Sequence, residues 1–387
     1  MKLLRRLLLS AVIISTALII SGCWNYRELN ELSLISGIAI DWNEETKEYQ
    51  LTAEIVEFKT TQGGRMTATS RIVEASGLTI FDADRNMIKV NPWRLYWGHT
   101  KTVIISQAVA RRGIARVIDW LYRDQEPRLE LLLLISKEKT AGEIFRCQNT
   151  SSQMLNFDIY NMLMSQKSLE AAPRVELYKF VDELSTDGLS PVLPTIYTTV
   201  SDGKLSPEVS GSAIFKNGKL IGFLDDSDTK YLLFVKNQIV NTLLTEKEGS
   251  SNATANITLE IFKNNTKLQP VYSDGVLGIQ IACNLKASLM EYSASADFSD
   301  EEKIDRIQSD AEALLNKKIK EMISKMQKQY DADIFGFGSR IRAEYPGIWK
   351  EISSDWDEKF SELEVTVNSH ILITDTGFST KPIKIGD

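Results

Sequence analysis

The sequence opens with a basic start, Lys2, Arg5 and Arg6, followed by an apolar run from Leu7 to Ile20 interrupted only by Ser10, Ser15 and Thr16. Such a run divides the chain before any folding argument begins, because it belongs in a membrane and the polar remainder does not. Its fourteen residues reach about 21 Å as a helix at 1.5 Å per residue, short of the roughly 30 Å hydrocarbon core of a bilayer. A permanent transmembrane helix is therefore the weaker reading. Ser21 and Gly22 supply the small residues of a cleavage point, so residues 1–22 read as a secretory signal.

Cys23 follows directly on Ser21-Gly22, an arrangement that resembles a bacterial lipobox, with Ile20 where leucine is usual. In that reading the thiol is alkylated with diacylglycerol and cleavage leaves Cys23 as the lipidated N-terminus. Two acyl chains, each contributing about 0.8 kcal/mol per buried CH₂, hold a protein firmly on a membrane, whereas one does not. The alternative is an ordinary signal with a chance cysteine at the junction, or an uncleaved anchor. The expected location is the outer face of the cytoplasmic membrane.

The remaining chain has the composition of a globular protein, 43% hydrophobic and 25% charged, and its length accommodates two or three domains. Loss of residues 1–22 removes three basic residues and no acid, taking the formal charge from −7 to −10. An acidic chain of this kind is not expected to bind nucleic acid or, as a whole, to seek anionic headgroups. Beyond Cys23 there are only Cys147 and Cys283; an extracytoplasmic setting permits a disulfide, but two buried free thiols are the commoner arrangement for residues so placed.

Taken in order, Leu32–Asp41 and Tyr49–Phe58 flank a polar turn and read as a β-hairpin. Thr60 to Thr69 reads as a loop, Ile72–Gly77 as a further strand, and Thr79 to Val90 as a short amphipathic helix ended by Asn91-Pro92-Trp93. His99–Ser106 and Glu130–Ser136 read as strands joined through two helices, Gln107–Arg112 and Ile114–Tyr122. Thr140–Cys147 has the form of a helix with a capping box, Thr140 and Glu143. The three prolines between Leu189 and Pro207 mark the best domain boundary, giving domains at 23–200 and 205–375, the second either whole or divided into a middle and a C-terminal part. Asn217-Gly218 between two apolar runs predicts a type I′ hairpin. A long helix over about Asp300–Tyr330 presents one apolar stripe, capped by Ser299, and Glu364–Thr374 closes the chain as a strand. The fold class expected is α+β, with mixed β-sheets packed against helices.

Gly22-Cys23-Trp24-Asn25-Tyr26-Arg27-Glu28-Leu29, continued by Ile35–Asp41, resembles the opening of the Ger(x)C family, the lipoprotein C subunits of the nutrient receptors of bacterial spores. His99–Ile105, Trp120–Arg128, Pro191–Pro194, Ala213–Leu224 and Ala332–Gly338 follow in the family's order, then Tyr345-Pro346 and Trp349-Lys350 with Trp356-Asp357. Asn25 stands where aspartate is common. The resemblance implies an α+β fold in two or three domains, a lipid anchor on Cys23 at the inner membrane of the spore, and partnership with the membrane subunits A and B of one receptor.

Chemistry has little raw material here. His99 and His370 are the only histidines, so neither a metal site nor a histidine-dependent triad is expected. Asp331 and Asp333 lack the further oxygen ligands of a calcium loop, and Gly336-Phe337-Gly338 lacks the third glycine of a dinucleotide fingerprint. No cofactor and no metal is expected, and the chain reads as a docking subunit rather than an enzyme. A lipid-tethered enzyme or small-molecule binding protein is the alternative. Arg123–Arg128 is either a solvated connection or an ion-pair network. Trp349 and Trp356 are either core or contact anchors. Trp24, Tyr26 and Arg27, next to the anchor, are the candidate partner-binding residues, since a few large side chains carry most interface energy.

Overall fold

The computed structural model describes residues 3–7, 10, 15, 31–60, 64–147, 154–165, 170–248, 255–292 and 301–375. Strands β1 (Leu32–Asn43) and β2 (Glu48–Thr60) pair antiparallel through the expected polar turn, in which Lys47 adopts a positive φ of 58°. β3 (Met66–Gly77) extends the meander, pairing from Thr60↔Met66 to Tyr49↔Gly77, so residues 66–69 are strand rather than loop. Their side chains, Met-Thr-Ala-Thr, carry only a weak strand pattern, and pairing with β2 supplies what the pattern lacks.

Helix α1 (Ile80–Met87) starts at Thr79, whose side chain accepts the Asp82 N–H, and runs back over β2 and β3. β4 (Arg94–Tyr96) lies parallel to the first residues of β1. His99, expected in a strand, instead ends a 3₁₀ turn, Trp97–His99, because Trp97 turns inward to meet Trp120 edge to face at 5.4 Å. β5 (Thr102–Ser106), α2 (Gln107–Arg112), α3 (Ala115–Arg123) and β6 (Leu132–Ser136) follow as expected, with β5 and β6 parallel and wholly buried. Gly113 closes α2 at φ +127°, which disfavours any side chain there.

The Thr140 capping box is corrected by the structure. Ala141–Arg146 is a 3₁₀ helix, and the N–H groups of Ala141 and Gly142 donate to the carboxylate of Asp41 on β1 at 2.7 and 2.9 Å. The Thr140 hydroxyl does not cap this turn and meets the Glu143 side chain instead, at 3.2 Å. Helices α4 (Leu155–Ser165) and α5 (Leu177–Leu184) then lead into β7 (Val192–Ser201), β8 (Lys204–Lys216) and β9 (Lys219–Leu224). Asn217 and Gly218 both have positive φ, 51° and 71°, as a type I′ turn requires.

The first sheet has the order β3-β2-β1-β5-β6-β7-β8-β9, with β4 beside β1. Its centre, β1, β5, β6 and β7, is parallel and covered on both faces, and antiparallel strands flank it. One face carries Ile38, Ile40, Leu51, Val103 and Leu133 under α1, α2, α3 and α5. The other carries Ala39, Ile104 and Leu134 under the 3₁₀ helix and α4, and it also holds the buried Asp41 and Glu54. The stretch 189–207 thus runs within this sheet, and the change to the second sheet falls between Leu224 and Thr242.

α6 (Asp226–Val235) makes that change, packing Tyr231, Leu232 and Phe234 into a core shared with Val192 and Ile214 of the first sheet. The second sheet orders β10 (Thr242–Glu248), β11 (Ala255–Ser273), β12 (Val276–Tyr292) and β13 (Glu364–Asp375). Helix α7 (Glu301–Lys325), continued by a π turn Met326–Tyr330, lays Ile307, Ala311, Leu315, Ile319, Met322 and Ile323 on it. The expected cap Ser299 lies outside the described residues. Three short helices complete the chain: α8 (Phe337–Glu344), α9 (Pro346–Ile352) and α10 (Trp356–Glu362). Among the described residues no helix is long and apolar enough to cross a membrane.

Asp84, on the buried side of α1, is 7% exposed, and burial pushes its carboxyl up to about 6 despite Arg85 and a hydrogen bond from Trp97. The folded chain therefore holds this proton more tightly than the unfolded chain, so its contribution is fully present below about pH 4 and is lost as pH rises through about 6. Asp84→Asn keeps an acceptor for the indole and removes the charge. It is expected to raise unfolding free energy by about 2 kcal/mol at pH 7 and by almost nothing at pH 4. Urea unfolding at both pH values measures this, and equal effects at the two would refute it.

Candidate functional site

The two halves meet where the chain between α5 and β7 runs past the loop before α8. The Ser190 N–H donates to the Asp333 carbonyl at 2.8 Å. The Asp333 carboxylate, 2% exposed, accepts N–H bonds from Phe335 (3.1 Å), Gly336 (2.9 Å) and Gly338 (2.8 Å), and so organises the start of α8. Burial still outweighs these donors and pushes its carboxyl up to about 6. Asp331, just before it, sits at φ 48° where the π turn ends.

Backbone closeness at this joint requires glycine. A Cβ on Gly188 would lie 2.4 Å from the Trp349 ring, and one on Gly338 2.7 Å from the Gly188 carbonyl and 2.9 Å from Trp356. Trp349 and Trp356, which the sequence left between core and contact surface, are both buried, their rings 5.3 Å apart. A cleft of about 660 Å³ opens along the joint, lined among others by Leu184, Gly188, Lys216, Asp333, Trp356 and Asp357. In it the Lys216 ammonium bridges Asp331 at 3.0 Å and Asp357 at 2.9 Å. Burial works against that charge, but hydrogen bonds from Lys216 to Asp357 and Asp331 prevail and raise its pKa. Among the described residues, the buried indole N–H of Trp356 and Oδ1 of Asp331 have no hydrogen-bond partner. Such a cleft can accept a polar segment.

Cys23, Trp24, Tyr26 and Arg27 lie outside the described residues, which begin their continuous course at Glu31. His99 is exposed and stacks edge-on to Tyr96 at 5.9 Å, and His370 is exposed on β13, 3.2 Å from Glu312. Among the described residues no group of three or more His, Cys, Asp or Glu could hold a metal ion. Cys147 and Cys283 are both buried and free. In the Arg123–Arg128 stretch, Arg123 pairs with Asp119 in solvent, whereas Glu126 bonds Arg94 at 2.5 Å and the Trp97 N–H at 3.2 Å, tying α3 to β4. Lys216 and Asp357 stood in the sequence only within stretches that resemble the family, since nothing in their local pattern brings residues so far apart together. Gly188 has a local signal, the turn dipeptide Asp187-Gly188, but not one that points to a tryptophan.

Two family models match the chain: residues 25–198 fit the spore germination protein N-terminal domain, and residues 210–377 fit the spore germination B3/GerAC-like C-terminal domain. Among curated proteins, the chain is 24% identical over 405 residues to spore germination protein KC of Bacillus subtilis (strain 168), covering 99% of this chain and 98% of that protein. It is 26% identical over 377 residues to the putative spore germination protein YfkR of the same strain, covering 95% and 96%. Spore germination protein B3, again of that strain, is 24% identical over 355 residues, covering 90% and 92%. Among solved structures, the crystal structure of the GerBC protein shares the fold at a TM-score of 0.57, with 20% identity over 87% of this chain and 97% of that one.

Proposed function

The chain belongs to the Ger(x)C family of spore germination proteins, and from this we propose that it is the lipid-anchored C subunit of a nutrient germinant receptor, assembled with membrane subunits A and B. The observation that carries the reading is coverage: the two family models match residues 25–198 and 210–377, most of the chain that follows Cys23. The role is docking without catalysis. Lipidation at Cys23 holds the folded part at the membrane, where Trp24, Tyr26 and Arg27 meet the partners at high effective concentration.

The intact protein recovered from spore membranes is expected to bring two polytopic membrane proteins with it. Cys23→Ala should abolish incorporation of labelled palmitate and release the chain from the membrane fraction, because no other thiol stands near the junction. Replacing Trp24 and Tyr26 by alanine should leave lipidation intact and reduce recovery of the partners. Palmitate still entering Cys23→Ala, or a lipidated wild-type chain that copurifies with neither membrane protein, would overturn the proposal.

A further inference from the structure

We infer that the end of the first sheet at which β1 begins is a membrane-contacting surface, where Ile88, Val90 and Trp93 enter the headgroup layer of an anionic bilayer. The inference rests on the anchor at Cys23 proposed above.

Sheet direction places these residues. β1, β3, β4 and β5 all start at the same end, and β2 finishes there, since Leu34 pairs with Val56, Thr60 with Met66 and Leu32 with Arg94. α1 begins after the far end of β3 and returns along the sheet, so the loop between Met87 and Arg94 comes out at the β1 start. The loop is pinned there. Asn91 Nδ2 donates to the Ser33 hydroxyl at 2.9 Å, and Asn91 Oδ1 accepts from Arg71 of β3 at 2.6 Å.

On this fixed loop the flanking Met87 and Leu95 point into the core, yet Ile88, Val90 and Trp93 are 44%, 58% and 50% exposed. The β2–β3 hairpin adds Phe58 and Met66, 57% and 65% exposed, at the same end. Apolar side chains held outward by a rigid backbone in one place mark a contact surface, and tryptophan in particular favours the headgroup region.

Charge and reach select lipid as the occupant. Lys59, Arg65, Arg71, Arg85, Lys89 and Arg94 gather at this end, in a chain whose formal charge is −7; Glu57 pairs with Lys59 and Arg71 and Glu126 with Arg94, so the bases still outnumber the acids that meet them. The turn at the other end of β1, Asn43–Glu48, has three acids against one lysine. A basic, apolar end complements anionic headgroups, and the acidic end is repelled by them. Cys23 stands eight residues before Glu31, at most about 29 Å of extended chain. The opposite turn is a further ~36 Å away along the twelve residues of β1. An anchor at Cys23 therefore confines the basic end, not the acidic one, to the bilayer surface.

The test uses the full lipidated chain in vesicles of phosphatidylcholine and phosphatidylglycerol. Val90→Cys, and Glu45→Cys as a control in the far turn, are each labelled with an environment-sensitive fluorophore; Cys147 and Cys283 are buried and Cys23 is blocked by its lipid. Spin-labelled lipid should remove most of the emission at position 90 and little at position 45. Omitting phosphatidylglycerol should reduce the quenching at 90. If the chain stays on the vesicles and position 90 is quenched no more than position 45, the surface proposal fails and the anchor stands; protection of position 90 only when a membrane partner is added gives the patch to that protein and likewise overturns it. A chain that leaves the vesicles altogether overturns the anchor and this inference together.

Discussion

Glu54→Ala is expected to lower unfolding free energy by about 4 kcal/mol, among the largest effects of any single substitution in this chain. Glu54 is 1% exposed on β2, and its carboxylate accepts four hydrogen bonds that cross to other elements. The Leu155 N–H donates to it at 2.8 Å and the Asn156 N–H at 3.0 Å, so a strand residue caps α4. The Asn156 side chain donates at 2.9 Å and the Ser36 hydroxyl at 2.5 Å. Alanine would leave the three donors of Leu155 and Asn156 buried without an acceptor, at about 1–3 kcal/mol for each that water cannot reach, while the Ser36 hydroxyl keeps the carbonyl of residue 54 at 3.2 Å.

The same seam explains Gly37. Asn156 lies directly over it, and a Cβ there would stand 2.0 Å from the Asn156 Oδ1. Glu54→Gln retains one oxygen but turns an amide toward other donors, and should fall between wild type and alanine. Hydrogen exchange adds a local reading: amides of α4 should lose protection in Glu54→Ala well before those of β5. A loss below about 1 kcal/mol, with α4 still protected, would mean that water replaces the carboxylate and that the seam is not the fastening described.

The second large effect lies at the joint between the halves. Gly188→Ala is expected to cost about 3 kcal/mol, from a left-handed backbone at φ +72° and a methyl group driven into the Trp349 ring. Trp349→Ala alone should cost about 3–5 kcal/mol by opening a cavity beside Trp356. The two should not add. With the indole gone the clash disappears, and Gly188→Ala in the Trp349→Ala background should cost only about 1 kcal/mol, the part due to backbone conformation. A double-mutant cycle in denaturant measures the coupling. Strict additivity would show that the joint relaxes around the methyl and that Gly188 is there for its turn alone.

Much of this protein was legible without coordinates, for reasons that lie within short windows of sequence. The hairpin of β1 and β2, the limits of α2, the turn at Asn217-Gly218 and the stripe of α7 depend on periodicity and on φ preferences that a few neighbouring residues set. The expected α+β class holds for the same reason. Composition likewise indicated how little histidine and cysteine there was for chemistry to use.

What the sequence did not contain was which distant groups meet. Thr140 and Glu143 have the spacing of a capping box, but the turn they open is 3₁₀ and its first two N–H groups are held by Asp41, about a hundred residues earlier. His99 lies in a strand-like run, yet the pull of Trp97 toward Trp120 turns the chain before the strand begins. The three prolines between Leu189 and Pro207 read as a domain boundary, and the family models divide close to it, at 198 and 210, while strand pairing still carries the first sheet across it. Local propensity is worth tenths of a kcal/mol per residue, and a buried hydrogen bond or packed indole is worth several times that, so tertiary contacts decide wherever the two compete. The carboxylates of Asp41, Glu54 and Asp333, and the glycines facing Asn156 and Trp349, became meaningful only once the fold had put a partner in front of them.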